Sequence, residues 1–484
     1  MHRRHLLAAA AATGLGGLGG LSSCASPAMP TLPTPAMPVG PFSAADLAHA
    51  ALLRDRGLAD TRALALVRSL TREVGARPAG SPGDTKAVAW AVAQCQSLGL
   101  QSVRAEPMAL RIWQRGPASA EIVAPESHSL VMTALGNSVG TPAGGIEAEI
   151  AYYPSFAALR ADTSDRAKGR IAFVDERTDR SRDGAGYSRA APARFGSAAE
   201  AARRGALAVV IRSIGTSSAT GADRVAHTGA MRYDDAVAAI PALAVSVPDA
   251  DRIAQLQAAG PLRLRLQVAN QTGVDATTHN VIAELPGTDL ADEVVLISAH
   301  LDSWDIGEGA VDNGAGVAVV CAAAGLIRAA GRAPRRTIRV VLFGNEENGF
   351  DGALNYGARY KAQRHQLVGE SDFGAGAIYA LRSRVDAASQ PAFEAMAQVL
   401  APLGVPLTGN NATPGPDAAM LMRRHQWPAA SFSQDGSTYF DVHHTAHDTF
   451  ERMDGRALPQ NVACWAVLAW LAAQAPMGFL AASA

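Results

Sequence analysis

Apolar and polar positions alternate in regular blocks along the second half of the chain. Apolar runs of strand length occupy residues 293–298 and 337–343, and a longer segment with helical apolar spacing, 314–330, lies between them. The same pattern predicts further strands at 376–380 and 429–433 and further helices at 352–361, 392–400, 417–424 and 461–473. Strands that alternate with helices in this way predict an α/β fold with a doubly wound, mainly parallel sheet.

A β-rich block precedes this pattern in the first half of the chain. Residues 84–98 have the apolar spacing of an amphipathic helix. The stretch that follows predicts strands at 169–174, 206–211, 240–245 and 262–268 and a helix at 197–204. We interpret residues 125–275 as an inserted β-rich domain, which leaves 43–124 and 276–484 for the α/β domain. The alternative is that the block is another part of one α/β domain.

The N-terminus has the charge and hydropathy pattern of a targeting segment. Arg3 and Arg4 precede an apolar run that is too short, and too interrupted by glycine, for a membrane-spanning helix. We therefore predict an export signal at 1–24, and the paired arginines favour the twin-arginine route. Its Leu-Ser-Ser-Cys ending resembles a bacterial lipobox, which predicts a lipid anchor at Cys24 and a periplasmic or membrane-anchored protein. A plain signal peptide with an incidental cysteine is the alternative. The proline-rich residues 25–42 are predicted to form a flexible tether.

Composition and charge leave the chemistry to local clusters of side chains. Hydrophobic residues make up 48% of the chain and charged residues 18%, and the formal net charge is −1. No overall field therefore points to nucleic acid or to an anionic membrane surface as a partner. The cysteines after residue 24 are scattered, without the spacing of a thiolate metal site or a disulfide framework.

Candidate metal ligands follow the first strand of the α/β domain, where sheets of this kind bind their ligands. His300 and Asp302 lie two residues apart at the strand end, so the carboxylate can orient a metal-bound imidazole. Asp312 lies in a glycine-rich turn before the next helix, where a carboxylate can bridge two cations. Taken singly, a surface His–Asp pair and a helix N-cap are the simpler interpretations.

Further candidates follow the later strands. Glu346 and Glu347 come directly after the strand at 337–343, and because adjacent side chains diverge, one can bind metal while the other faces water. Asp372 is a further carboxylate and precedes the strand predicted at 376–380. The segment 441–448 carries five ionisable residues. That segment contains three histidines, His443, His444 and His447. A solvated charge pair and a polar surface loop are the alternatives, and spacing alone does not choose among the histidines.

Together these side chains predict a centre with two metal ions. They are imidazoles and carboxylates without thiolates, which suits zinc, with cobalt or manganese as alternatives. More carboxylates converge than one structural zinc ion needs, whereas a bridged pair of ions would use them all.

The motifs resemble those of the M28 family of dinuclear zinc peptidases. The matching elements are His300-Leu-Asp-Ser, Asp312-Asn-Gly, Glu346-Glu347, Ser371-Asp372 and His444-Thr-Ala-His-Asp-Thr. The longer run His300-Leu-Asp-Ser-Trp-Asp305 and the doubled His443-His444 are most similar to the carboxypeptidase Q branch of that family. The likeness covers most of 279–475 and, more loosely, 60–275, where the inserted block resembles a protease-associated domain.

The resemblance implies a ligand set for two zinc ions. One ion would take His300 and Asp372, the second would take Glu347 and His444, and Asp312 would bridge both. The choice of His444 among the three histidines depends on this resemblance.

The resemblance also implies roles for the neighbouring residues. Glu346 becomes the general base and Asp302 the residue that orients the imidazole. His443 is a candidate contact for the oxyanion, with packing beside the ligand as the alternative. The residue after the bridging acid is often a second Asp in this family, and here it is Asn313, which removes a charge near the metals.

The function implied by the resemblance is that of a zinc exopeptidase. It would hydrolyse dipeptides or short peptides with a metal-activated water and a glutamate base, and it would form a homodimer. A broad-specificity aminopeptidase would use the same site. Glutaminyl cyclase shares the fold but uses one metal, so the complete ligand set and the long insertion disfavour it. A catalytically inactive binding protein would lack ligands or the base, and every expected position is filled here.

Overall fold

The computed structural model describes residues 40–217 and 223–482, which form two β-sheets with helices packed against them. The predicted export signal, the predicted anchor at Cys24 and most of the predicted tether lie outside the described residues.

The strands are β1 (Gln101–Gln114), β2 (Ala118–Ala124), β3 (His128–Ser129), β4 (Met132–Ala134), β5 (Ile146–Tyr153), β6 (Ile171–Val174), β7 (Ala208–Arg212), β8 (Ala242–Val245), β9 (Arg263–Val268), β10 (Gln271–Leu285), β11 (Leu290–His300), β12 (Arg336–Phe343), β13 (Arg364–Glu370), β14 (Ile378–Arg384) and β15 (Ala429–Gln434). The helices are α1 (Ala44–Gly57), α2 (Arg62–Ser69), α3 (Pro82–Ser97), α4 (Phe156–Ala161), α5 (Ala185–Arg203), α6 (Val247–Ala259), α7 (Ala315–Ala329), α8 (Asp351–Tyr360), α9 (Gln390–Leu400), α10 (Pro416–His425) and α11 (Leu458–Gln474). Short π or 3-10 turns lie at Leu70–Val74, Ala310–Gly314, Ala387–Ser389, Ala401–Leu403, Tyr439–Asp441, Phe450–Arg452 and Gly455–Ala457.

The first sheet has seven strands in the order β1-β10-β12-β11-β13-β15-β14. Its central strands β12, β11, β13 and β15 run parallel, as the alternation of strands and helices predicts. The pairs β1–β10, β10–β12 and β14–β15 are antiparallel, so the sheet is mixed and the prediction of a mainly parallel sheet is wrong. Much of β1 alternates between buried and exposed residues, a pattern of half-exposed antiparallel strands that a search for apolar runs misses.

Helices cover both faces of the parallel strands. Ile297 of β11 and Val340 of β12 belong to the hydrophobic core that contains α7 and α11. Their neighbours Leu296 and Val341 belong to a second core with residues of α8 and α10. Because successive side chains of a strand point to opposite faces, strands that are buried on both faces have continuous apolar sequences.

One helical stretch among the described residues, Ala310–Ala329, is long and apolar enough by length and composition to cross a membrane. Its mean hydropathy is 1.7, and 100% of the apolar window is buried inside the protein. The stretch contains α7, which packs beneath the first sheet as its central core helix.

The second sheet has eight strands in the order β3-β2-β9-β5-β6-β7-β8-β4. All of them come from the part of the chain between β1 and β10. One hydrophobic core lies wholly within this part, and a second also includes Trp113 of β1 and Trp304 of the loop after β11. The chain leaves the first sheet along β1 and returns to it along β10, and these two long strands pair with each other. The four strands predicted in this block correspond to β6, β7, β8 and β9.

One strand that matters for the site is not among the predicted elements. The apolar run of β13 is interrupted at its start by Arg364, His365 and Gln366, and all but Arg364 are buried. Asp372 therefore follows the carboxyl end of a strand, whereas the sequence analysis places it ahead of one. The strand predicted at 376–380 is found as β14, shifted toward the C-terminus.

Candidate metal centre

The structure brings the predicted ligands together at the carboxyl edge of the parallel strands. His300 is the last residue of β11, Glu347 follows β12, and Asp372 follows β13. Asp312 lies in the turn that leads into α7, and His444 lies in the loop after β15. Adjacent parallel strands end at the same edge of a sheet, so their following residues meet there.

Asp312 occupies the middle of this cluster. Its Oδ1 lies 3.3 Å from His300 Nε2, and its Oδ2 lies 3.1 Å from His444 Nε2. Each imidazole also faces a second carboxylate, because Asp372 Oδ1 is 3.5 Å from His300 Nε2 and Glu347 Oε2 is 3.2 Å from His444 Nε2. The side chains thus form two sets of one imidazole and one carboxylate, and both sets share Asp312.

The donor atoms fit metal ions. Ligand atoms of His300, Asp312 and Glu347 lie within 4.8 Å of one another, and so do those of Asp312, His443 and His444. Asp312 Oδ2 and Glu347 Oε1 are buried and have no hydrogen-bond donor among the described residues. Buried carboxylate oxygens without a donor are costly unless a cation binds them, so the cluster has the chemistry of a metal site.

The buried charges of this cluster shift one another's pKa values. Burial raises the pKa of Glu347 to about 7, and the Asp312 carboxylate adds to the shift. Burial lowers the pKa of His444, but Glu347 and Asp312 outweigh burial and raise it to about 9. Burial is likewise outweighed at His300, where Asp372 and Asp312 raise the pKa well above its ordinary value. The cluster therefore favours positive charge, which a bound cation supplies.

The turn that carries Asp312 is held by hydrogen bonds to its main chain. The Asp448 carboxylate accepts the N–H groups of Val311 at 2.7 Å and of Asp312 at 3.1 Å. Asn313 accepts the Gly316 N–H with Oδ1 at 3.1 Å and donates from Nδ2 to the Ser371 carbonyl at 2.9 Å. An aspartate at position 313 would have no N–H group to donate to the Ser371 carbonyl. The amide of Asn313 therefore fits this position.

Asp302 connects two strand ends of the site. His300 Nδ1 donates to the main-chain carbonyl of Asp302 at 3.0 Å, whereas the Asp302 carboxylate is 3.7 Å from the same ring nitrogen. That carboxylate accepts the N–H groups of Glu346 at 3.0 Å and Glu347 at 3.3 Å. The expected orientation of the ring therefore comes mainly from the Asp302 main chain, while its side chain positions the two glutamates.

Arg77 is a buried residue that is not among those predicted from the sequence. Its guanidinium donates to the carbonyls of Leu301 at 2.5 Å, Glu308 at 2.7 Å and Gly309 at 2.8 Å. It thereby fixes the loop between His300 and the Asp312 turn. Its sequence surroundings carry no signal for this role, because every one of these partners is more than 200 positions away.

A segment between the strands of the second sheet fixes the loop with the histidines. Thr228 N–H donates to the His444 carbonyl at 2.8 Å, and His227 Nδ1 donates to the His443 carbonyl at 2.8 Å. Burial lowers the pKa of His227 to about 3, so the ring is neutral when it donates. These bonds hold His444 at a φ of 61°, a left-handed conformation that is uncommon for residues other than glycine. Neither His227 nor Thr228 is among the residues predicted from the sequence.

The three candidate histidines occupy different positions. His443 stacks on His444 with 3.6 Å between ring centroids, and its Nε2 lies 3.4 Å from Asp312 Oδ2. Among the described residues, His447 belongs to neither group of converging ligand atoms. The geometry therefore favours His443 and His444 over His447.

The cluster opens into a cavity of about 740 Å³. Among the site residues, the side chains that line it are Asp312, Glu346, Glu347, Asp372, His443 and His444. Aromatic side chains form much of the adjoining wall, and Tyr187 stacks on Phe440 with 4.3 Å between their centroids. A cavity of this size is typical of small-molecule sites.

Replacement of Arg77 tests its role in fixing the loop. We expect Arg77→Met to lower the free energy of unfolding by about 3 kcal/mol, because it removes the donor of several buried carbonyls. The measurement is denaturant unfolding monitored by circular dichroism. Arg72→Met is the control, since Arg72 has 64% of its side chain exposed. Equal stability of the two variants would contradict the role assigned to Arg77.

Replacement of each histidine tests which imidazole binds metal. We expect His444→Ala to retain fewer metal ions per chain than the unaltered protein, because its Nε2 faces both Asp312 and Glu347. His447→Ala is the control and should keep the full metal content. Elemental analysis of the purified variants measures both. A full complement in His444→Ala would shift the ligand role to His443.

Comparison with known proteins places these motifs in a family. A family model described as Peptidase family M28 matches residues 280–469. Carboxypeptidase Q of Homo sapiens is 33% identical over 435 residues, which are 89% of each chain. A protein of Mycobacterium tuberculosis named probable lipoprotein aminopeptidase LpqL is 28% identical over 288 residues, 58% of this chain and 51% of its own. The crystal structure of a peptidase M28 precursor from Shewanella amazonensis is 44% identical, covers 90% of this chain and 98% of its own, and superposes with a TM-score of 0.86.

Proposed function

The chain belongs to peptidase family M28 and is a metallo-exopeptidase, and we propose that it hydrolyses dipeptides or short peptides at a centre of two zinc ions. The observation that carries the proposal is the position of Asp312, whose two carboxylate oxygens face two different imidazoles.

The donor atoms support the assignment of ions to residues. We assign His300 and Asp372 to one ion, Glu347 and His444 to the other, and Asp312 to both. Imidazole and carboxylate ligands without thiolates suit zinc, and cobalt or manganese would be accepted by the same donors. Such ions, when bound, act as Lewis acids that polarise a scissile carbonyl and lower the pKa of an attacking water.

Glu346 is the proposed general base. Its carboxyl group lines the cavity beside the ligands, and the Asp302 carboxylate anchors its main-chain N–H. Burial, together with the carboxylates of Asp372 and Glu347, raises the pKa of Glu346 well above its ordinary value. A carboxylate at this position can take a proton from water and deliver it to the leaving amine.

His443 is the proposed contact for the developing oxyanion. Its ring lines the cavity, and burial together with the neighbouring His444 lowers its pKa well below the ordinary value. The neutral ring carries one N–H group, and its Nδ1 has no hydrogen-bond partner among the described residues. A donor near a reacting carbonyl stabilises the charge that develops on its oxygen.

Two candidate activities differ in the end of the peptide from which the enzyme removes a residue. Carboxypeptidase and dipeptidase action is the first, and it follows the human relative that is 33% identical over most of both chains. Broad-specificity aminopeptidase action is the second, and it follows the Mycobacterium tuberculosis relative named as an aminopeptidase. Both would use the same metal centre and base.

We also propose that the second sheet is an inserted domain of the protease-associated type. Its strands are contiguous in the chain between β1 and β10, and the same part of the chain supplies Tyr187, His227 and Thr228 to the site. Export and lipidation of Cys24 remain predictions from the sequence, as does the homodimer. The Mycobacterium tuberculosis relative is named a lipoprotein, which supports the anchor.

Substitution of the base tests the catalytic proposal. We expect Glu346→Gln to keep its metal content and stability but to lose at least about 100-fold in kcat, because the amide cannot accept the proton. Hydrolysis of a dipeptide panel with added zinc measures turnover, and elemental analysis measures the metals.

Glu73→Gln serves as the control. Glu73 lies in the turn that follows α2 and accepts a hydrogen bond from Ser69 away from the site. Near-normal turnover in Glu346→Gln would sink the assignment of the base. A chain that binds two zinc ions yet cleaves no peptide in unaltered form would instead be a binding protein on a peptidase fold.

A further inference from the structure

Arginine side chains line the cavity beyond the ligand cluster. They are Arg194, Arg232, Arg382 and Arg423. None of them forms an ion pair with a carboxylate among the described residues, in contrast to other arginines of the chain, such as Arg212 with Asp175 and Arg336 with Glu293. The cavity therefore contains guanidinium groups that no described carboxylate contacts directly.

Arg194 is the arginine among them that the fold buries. Its residue is only 5% exposed, and its Nη1 donates to the Tyr187 hydroxyl at 2.6 Å. Its Nε is buried and has no acceptor, and its Nη2 makes no hydrogen bond to any described residue. A desolvated guanidinium with unused donors is unfavourable unless an anion binds it.

The surrounding residues hold this guanidinium in place. Arg194 lies on α5, and its Cζ lies 4.8 Å from the ring centroid of Phe195. On another side it packs against Gly229, where an added Cβ would lie 2.6 Å from Cζ and 2.7 Å from Nε. The missing side chain at position 229 leaves the space that the guanidinium occupies.

Arg194 is separated from the ligand cluster by one aromatic ring. The Tyr187 hydroxyl oxygen accepts a hydrogen bond from Arg194, and the Tyr187 ring meets the His443 ring edge-on at 5.1 Å between centroids. Arg194 Cζ lies 5.5 Å from the Tyr187 ring centroid, so a substrate that passes this ring from the ligand cluster to Arg194 spans at most about three residues. At the cluster end the cavity is lined by carboxylates, so an anionic group is favoured at the arginine end.

We propose that Arg194 binds a carboxylate of the substrate peptide and thereby makes the enzyme selective for peptides with a carboxylate near the scissile bond. A guanidinium forms strong charge-assisted hydrogen bonds with a carboxylate, and the Nη2 donor, which makes no hydrogen bond to a described residue, is available for one. The proposal rests on the peptidase function proposed above. The carboxylate has two sources, the free C-terminus and an acidic side chain, and the first would make the enzyme a dipeptidase or carboxypeptidase.

Three dipeptide substrates separate these sources. Leu-Ala carries only the terminal carboxylate, Leu-Ala amide carries none, and Leu-Glu amide carries only the side-chain carboxylate. With the zinc-loaded protein, we expect kcat/KM for one carboxylate-bearing substrate to exceed that for Leu-Ala amide by about 100-fold. A preference for Leu-Ala assigns the terminal carboxylate, and a preference for Leu-Glu amide assigns the side chain.

Substitution of Arg194 tests whether its guanidinium causes this preference for substrates with a carboxylate. We expect Arg194→Met to reduce the preference to within about 3-fold of unity, and Arg194→Lys to reduce it partly, because a single ammonium lacks the fork. Arg189→Met is the matched control, since Arg189 lies exposed on the same helix and pairs with Asp179, and it should keep the full preference.

A second variant keeps Arg194 but displaces its guanidinium. Gly229→Ala places a methyl group against the guanidinium and should also lower the preference, which keeps the test decisive if Arg194→Met does not fold. Full preference in both Arg194→Met and Gly229→Ala would overturn the proposal, and so would equal rates of the unaltered enzyme on all three substrates. Failure of the zinc-loaded enzyme to cleave any of the three would overturn the proposed function itself.

Discussion

The carboxylate of Asp312 is the centre on which the rest of the site depends. One oxygen faces His300 and the other faces His444, so a single side chain connects two halves of the ligand cluster. It is buried among other carboxylates, and this arrangement is unfavourable without compensating positive charge. Two cations would neutralise the cluster and satisfy the carboxylate oxygens that lack donors.

The geometry around Asp312 is maintained by residues from distant parts of the chain. Asp448 holds the main chain of the turn, and Arg77 holds the loop that leads to it. His227 and Thr228, which lie between strands of the second sheet, hold the main chain of the two stacked histidines. Both sheets therefore contribute to one site, and the second sheet does more than cover the first.

The sequence carries enough information to predict the parallel core and the side chains that converge at its carboxyl edge, because both have local signals. Apolar runs mark β11 and β12, since strands buried on both faces cannot alternate with polar residues. Acidic residues and histidines directly after such runs indicate a site at the carboxyl edge. The resemblance to a family was nevertheless needed to prefer His444 over His443 and to separate Glu346 from Glu347.

Other features could not be predicted because their signals are not local. The antiparallel ribbon of β1 and β10 is half exposed, so its sequence is not a plain apolar run. The apolar pattern of β13 is interrupted by polar residues that are buried and hydrogen-bonded in the folded chain. His365, for example, lies 2.8 Å from the Tyr356 hydroxyl. Arg77 and Arg194 acquire their roles only through contacts made by the folded chain.

Calorimetric titration of the metal-free protein with zinc counts the ions that bind around Asp312. We expect two equivalents of zinc to bind per chain, with a rise in unfolding temperature as the buried carboxylates are neutralised. Asp312→Asn should weaken the binding of both ions, because the bridging carboxylate is shared. Saturation at one equivalent, or an Asp312→Asn variant that binds two ions as tightly as the unaltered protein, would contradict a centre built around Asp312.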